Sequence, residues 1–238
     1  MNEQVNIGII YEDKDMVVCE KPVGLLTLRA ESDEDSLIDI LCKQLSQRGE
    51  RATLFPIHRL DRLTGGLVVF AKTKKCAEEL CRIFSEHKNE KQYLCIVHGA
   101  PEKEYEECID LLFADKRANK SYITDKKRAG VKEASLCYEK ISEGEHRQKS
   151  VSLLRVTLNT GRMHQIRAQL SHRGMPLLGD GKYGSRENSC PPALFAYRLK
   201  FFYQGEKRFT LTPKNEFPWS LFYDDISRIC NECGEENK

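Results

Sequence analysis

The stretch from Gly66 to Lys72 constrains the fold most. Leu67-Val68-Val69-Phe70-Ala71 is apolar at every position. A strand with one solvated face alternates polar and apolar residues, so a run without a polar break reads as a strand covered on both faces, interior to a sheet. Just before it comes His58-Arg59-Leu60-Asp61-Arg62-Leu63-Thr64-Gly65-Gly66. The paired glycines permit a tight turn and a close approach between backbone and a bound molecule. Asp61 therefore stands at a turn beside a packed wall. An Asp in such a place commonly caps or forms the turn. One that is ionised and poorly solvated on one face can also act as a nucleophile. This segment alone leaves both readings open.

A second segment, Thr160-Gly161-Arg162-Met163-His164-Gln165-Ile166-Arg167, bears on that choice. The sequence predicts a helix over 163–173, in which His164, Arg167 and Ser171 share a face at i, i+3 and i+7. Arg167 could then hold a carboxylate with two charge-assisted hydrogen bonds and keep it ionised despite burial. The plainer reading is a helix covering the sheet with a surface arginine, and Arg162, Arg167 and Arg173 also suit phosphate contacts. No second carboxylate is evidently paired with Asp61, which favours a nucleophile over an acid/base pair.

The remaining elements are shorter. Residues 7–11 and 16–20 read as a hairpin across Glu12-Asp13-Lys14-Asp15, ended by Lys21-Pro22-Val23-Gly24. Residues 36–47 carry Leu37, Ile38, Leu41 and Leu45 at helical spacing, and 74–87 carry Ala77, Leu80, Cys81 and Phe84. Strands are expected at 91–98, 134–141 and 150–158, with a polar turn at Glu143-Gly144-Glu145-His146. A late hairpin follows at 193–203 and 208–212, then a short helix at 217–229. Residues 101–130 are polar, with basic clusters at 115–120 and 125–128, and read as a solvated loop region or as phosphate contacts beside a nucleic-acid cleft. Interleaved strands and a few helices make a mixed α/β (α+β) chain built from antiparallel hairpins rather than βαβ units.

At 238 residues, one large domain can bury a core, and the chain reads as one domain over 1–229 with a tail at 230–238. No apolar run approaches the ~20 residues of a membrane span, and the N-terminus lacks a basic, then apolar, leader. The ten cysteines have no framework spacing and read as reduced thiols of a cytoplasmic protein. Cys230-Asn231-Glu232-Cys233 is half of a zinc site without a second half, so a solvated tail is the favoured reading and no metal is expected. The net charge of +2 decides nothing, because clustering matters more than the sum.

Five segments, in order, resemble the RluA family of RNA pseudouridine synthases. They are Tyr11-Glu12-Asp13 to Gly24, His58 to Lys72, Lys91 to Gly99, Thr160 to Arg167 continuing to Gly179–Gly184, and Leu194 to Leu199. The resemblance implies that family's fold, a mainly antiparallel mixed sheet with flanking helices and a central RNA-binding cleft. It implies uridine-to-pseudouridine isomerisation in rRNA or tRNA, without metal or organic cofactor. Asp61 would be the nucleophile and Arg167 its ion-pair partner. Tyr93 would stack on the target base and assist loss of the C5 proton. Arg59 would support the gap left by the flipped uridine, and Ile166 would give it an apolar contact. RNA contacts would come from His58, Arg62, Thr64, Arg162, His164 and Gln165.

There are departures from the family pattern. Thr64-Gly65-Gly66 replaces the usual Thr-Ser-Gly, Leu63 stands where a polar residue is common, and Phe195 where a His is usual. Few residues precede the first strand, so no separate N-terminal RNA-binding domain is expected, and the chain is expected to act as a monomer. Two rivals remain: a non-catalytic RNA-binding or ribosome-assembly module of the same fold, and a hydrolase that would release free uracil.

Overall fold

The computed structural model describes residues 6–29, 35–49 and 53–235. In chain order the elements are β1 (Ile9–Glu12), β2 (Met16–Lys21), α1 (Leu37–Gln47), β3 (Phe55–Pro56), β4 (Gly65–Ala71), α2 (Lys74–Ser85) and β5 (Asn89–His98). Then come β6 (Tyr105–Asp115), β7 (Lys120–Ile123), β8 (Val131–His146), β9 (Lys149–Leu158), α3 (Gln165–His172), β10 (Leu194–Phe202), β11 (Glu206–Thr210) and α4 (Tyr223–Glu235). Single 3-10 turns lie at Gly181–Tyr183 and Trp219–Phe222. No helix among the described residues is long and apolar enough to cross a membrane. The chain divides into two compact units. One runs to Asn89 and takes in Leu199–Leu211; the other comprises Glu90–Arg198 and the chain from Thr212 onward.

In the first unit β2 lies between β1 and β4, antiparallel to both, and β3 also pairs with β4. Every residue of β4 is buried, as its unbroken apolar run requires. Met16, Val18, Leu67 and Val69 pack on Cys76, Leu80 and Phe84 of α2 and on Leu199, Phe201 and Phe209 of β10 and β11. Thr73 caps α2 by accepting the Cys76 N–H at 3.2 Å. Ser36 precedes α1, its N–H donating to Asp39 Oδ2 at 3.0 Å.

In the second unit β5, β9, β8, β6 and β7 pair in that order, each antiparallel to the next. α3 rests on β6 and β8 through Ala168, which packs with Leu112, Ala134 and Tyr183. Its Gln169 amide is buried and donates to the carbonyls of Cys108 (3.1 Å) and Ala134 (3.2 Å) and to Asp110 (2.6 Å). Arg173 also donates to Asp110, at 2.8 Å.

Several sequence expectations need correction. Residues 101–130 are not a loop region: they hold β6 and β7, a hairpin whose turn spans Lys116 to Asn119. The turn expected at 143–146 lies at Arg147-Gln148, both at positive φ (50° and 60°), while 143–146 continue β8. α3 begins at Gln165, because His164 takes a left-handed conformation (φ 51°) and ends the preceding loop. The final helix runs on to Glu235, and Cys230 and Cys233 are buried on it rather than solvated.

Candidate active site

Asp61 is held by main-chain contacts that begin at the end of β2. Lys21, fully buried, donates from Nζ to the carbonyls of Pro22 (2.8 Å), Leu25 (2.6 Å) and Arg62 (3.1 Å). An ammonium has three donors, and here each has an acceptor. The Gly24 N–H donates to the same Arg62 carbonyl at 2.8 Å, and Arg62 Nε returns a bond to the Gly24 carbonyl at 2.8 Å. Gly24 sits at φ 91°, a conformation that favours glycine. On the other side of Asp61, Thr27 Oγ1 donates to the Leu60 carbonyl (3.0 Å) and accepts the Leu60 N–H (3.1 Å). The turn closes with Thr64 N–H on the Asp61 carbonyl at 3.0 Å. Asp61 is thus fixed through both neighbours, and its side chain is half-buried.

The charge of Lys21 completes this loop. Burial pushes its pKa down to about 8, while the nearby Asp61 carboxylate pulls the other way. His58, expected as an RNA contact, accepts the Val69 N–H at Nε2 (3.3 Å) and stacks on Phe84 with centroids 5.3 Å apart. Arg59 and Arg62 are exposed, and Thr64 is buried.

In the second unit Tyr93 lies on β5, 7% exposed, opposite Val156 of β9. Gln165 anchors the loop into α3. Its Oε1 accepts from Thr160 Oγ1 (2.8 Å) and from the Arg162 N–H (3.0 Å), and its Nε2 donates to the Ser135 carbonyl (3.0 Å). Arg162 Nε donates to the Glu133 carbonyl at 3.0 Å. Ile166 is buried.

Arg167 makes a two-pronged pair with Asp180: Nε to Oδ2 at 2.7 Å and Nη2 to Oδ1 at 2.8 Å, both side chains almost wholly buried. The pair sets the plane of the guanidinium and hence the direction of its other N–H groups. The ring of Tyr183 lies under Arg167 at 4.9 Å. Tyr183 also meets the other residues of the i, i+3, i+7 face: its hydroxyl is 3.0 Å from His164 Nδ1, and its carbonyl accepts from Ser171 Oγ at 2.6 Å. That hydroxyl further accepts the Ser121 N–H at 2.8 Å. Asp180 and Tyr183 were missed as site residues. The signal was present in Gly179-Asp180-Gly181-Lys182-Tyr183-Gly184, but a carboxylate 13 residues from its arginine shows no periodicity.

Asp61 belongs to the first unit, and Tyr93 and Arg167 to the second. The geometry supplies a half-buried carboxylate on a rigid loop, and separately a buried guanidinium and a buried phenol on ordered elements.

Comparison with known proteins places the chain in a family. The family model described as RNA pseudouridylate synthase matches residues 15–172. An uncharacterized RNA pseudouridine synthase of Aquifex aeolicus is 35% identical over 219 residues, covering 84% of this chain and 66% of that protein. The tRNA pseudouridine synthase C of Haemophilus ducreyi is 28% identical, covering 93% of this chain and 96% of the relative. Among solved structures, human RNA pseudouridylate synthase domain containing 1 superposes with a TM-score of 0.78 at 21% identity, covering 97% of each chain.

Proposed function

The chain belongs to the RNA pseudouridylate synthases of the RluA type, and we propose that it isomerises a uridine of tRNA or rRNA with Asp61 as the nucleophile. The observation that carries this reading is the Asp61 loop, clamped on both sides and set beside the buried Lys21 ammonium. A nucleophilic carboxylate must keep its direction, and the backbone contacts on both sides of Asp61 support that.

In the reaction the N1–C1′ bond of the uridine breaks, the uracil turns, and a C5–C1′ bond forms. The proton on C5 is lost and N1 gains one, so product and substrate are isomers. Tyr93 stacks on the uracil and assists departure of the C5 proton. Arg167, its guanidinium fixed by Asp180, supplies positive charge to the reaction. Arg59 supports the RNA where the base has left its stack, and Ile166 gives the target nucleotide an apolar contact. His58, Arg62, Thr64, Arg162, His164 and Gln165 make or support the RNA contacts. His58 and Gln165 do so through the main-chain bonds described above. Flipping costs a few kcal/mol and least in loops and bulges, which favours an exposed uridine of a structured RNA.

The test is a map of pseudouridine across total cellular RNA. A strain lacking the gene is compared with strains complemented by wild type or by Asp61→Asn. Sites that vanish on deletion and return with wild type alone support the reading and identify the substrate. A map unchanged by deletion contradicts it.

A further inference from the structure

A cavity of about 660 Å³ opens in the second unit between the β6–β7 hairpin, residues 130–132 and the loop into α3. Its volume lies within the roughly 300–1,000 Å³ of small-ligand sites. Leu112, Phe113, Ala114 and Met163 line it with apolar surface. Lys116, Arg117, Lys132 and Arg162 supply four cations, against the single carboxylate of Asp115. That carboxylate already accepts the N–H groups of Arg117 (2.9 Å) and Ala118 (3.0 Å). The guanidinium of Arg128 lies 4.4 Å from the ring centroid of Phe113. A flat apolar body carrying negative charge suits this combination, and a nucleotide is such a body.

Lys91 lies beside this cavity. A methyl group added at Gly161, which lines it, would lie 3.6 Å from Lys91 Nζ. Lys91 has no hydrogen bond and no ion pair among the described residues, and burial pushes its pKa down with no opposing charge. It stands two residues from Tyr93 on β5, hence on the same face and about 6.6 Å along the strand. A mostly covered ammonium without a protein partner, between a tyrosine and a basic-rimmed pocket, fits a phosphate.

We propose that this pocket receives a second nucleotide of the RNA, adjacent in the chain to the target uridine, and that Lys91 holds the phosphate joining the two. The proposal rests on the reading that Tyr93 receives the target base. It places part of substrate selection in the catalytic chain itself, since the base in the pocket is stacked as well as charge-matched.

The test uses full-length protein and tRNA and rRNA from cells lacking the gene, with modification and binding measured together across a salt series. Phe113→Leu weakens binding of the RNA that the wild type modifies about tenfold, with the salt slope unchanged, because it removes stacking and no charge. Phe113→Tyr retains wild-type affinity. Lys91→Gln weakens binding and lowers the slope of log affinity against log salt by about 0.7 to 1, the signature of one lost phosphate contact. Thermal melting confirms that each variant is folded. Wild-type affinity for Phe113→Leu overturns the pocket, even if Lys91→Gln is impaired, and so does an unchanged salt slope for Lys91→Gln. A wild-type enzyme that modifies neither RNA overturns the functional reading, and the pocket with it.

Discussion

Removing the carboxylate of Asp180 should expose how far the fold depends on the Arg167 pair. Two charge-assisted bonds of 2.7 and 2.8 Å join side chains that are 6% and 1% exposed. Asp180→Ala strips from the buried guanidinium the carboxylate that accepts two of its hydrogen bonds, a loss of about 3–5 kcal/mol. For a chain of this size each kcal/mol moves the melting temperature by roughly 2–4 °C, so melting should fall by roughly 6–20 °C. Asp180→Asn keeps one acceptor and should melt between the two. Replacing both partners, Arg167→Met with Asp180→Leu, should recover most of the stability, because the pair is then removed as a whole rather than broken. It should nonetheless remain inactive, which separates folding from chemistry. Circular dichroism melts, with pseudouridine formation measured on the same samples, read both. A melting temperature for Asp180→Ala within about 2 °C of wild type would refute the reasoning.

Other consequences can be checked in the same way. Lys21, with its pKa pushed down to about 8, holds its proton less tightly in the native state than in the unfolded chain. Wild-type stability relative to Lys21→Met should therefore be flat below pH 8 and rise by about 3 kcal/mol up to about pH 10.5; denaturant titrations showing a fall in that window would contradict this. Tyr183→Phe strips the acceptor from the buried Ser121 N–H and the contact to His164, and should cost about 1–3 kcal/mol in chemical denaturation. Among the cysteines, Cys81 is exposed, whereas burial pushes the Cys19 thiol up to about 12. A thiol reagent on the native protein should therefore label Cys81 first and Cys19 only on unfolding, as peptide mapping would show.

The parts of this fold that could be read from the chain are those where burial is one-sided or complete. β4 has no polar residue to disguise it, and α2 carries its apolar stripe and its Thr73 cap in plain order. β6 was hidden because its inward positions, Cys108, Asp110 and Leu112, include a charge. Asp110 is matched by Arg173 and Gln169, partners that local sequence cannot reveal. The β8–β9 turn was misplaced because Gly144 suggested it. That glycine lies inside β8, where a Cβ would come within 3.1 Å of the Phe222 ring, so close approach rather than turning is its role. The real turn uses Arg147 and Gln148 at positive φ, which residue type does not announce.

The site divides along the same line. Asp61, Tyr93 and Arg167 stand in motifs, and motifs can be recognised. The groups that hold them act through backbone carbonyls, as Lys21 does, or across a sequence gap, as Asp180 does. Neither leaves a pattern. Gln165 shows the difference, because it sits inside the motif yet is occupied with the loop it anchors.

The central claim is that Asp61 performs the chemistry on uridine. It is tested most directly with purified protein and tRNA or rRNA, from a strain lacking the gene, carrying tritium at C5 of its uridines. Isomerisation must release that tritium to water. Wild type should release label in proportion to the sites modified, and Asp61→Asn should release none above background while still binding the RNA. Tritium release by Asp61→Asn at the wild-type rate would contradict the account.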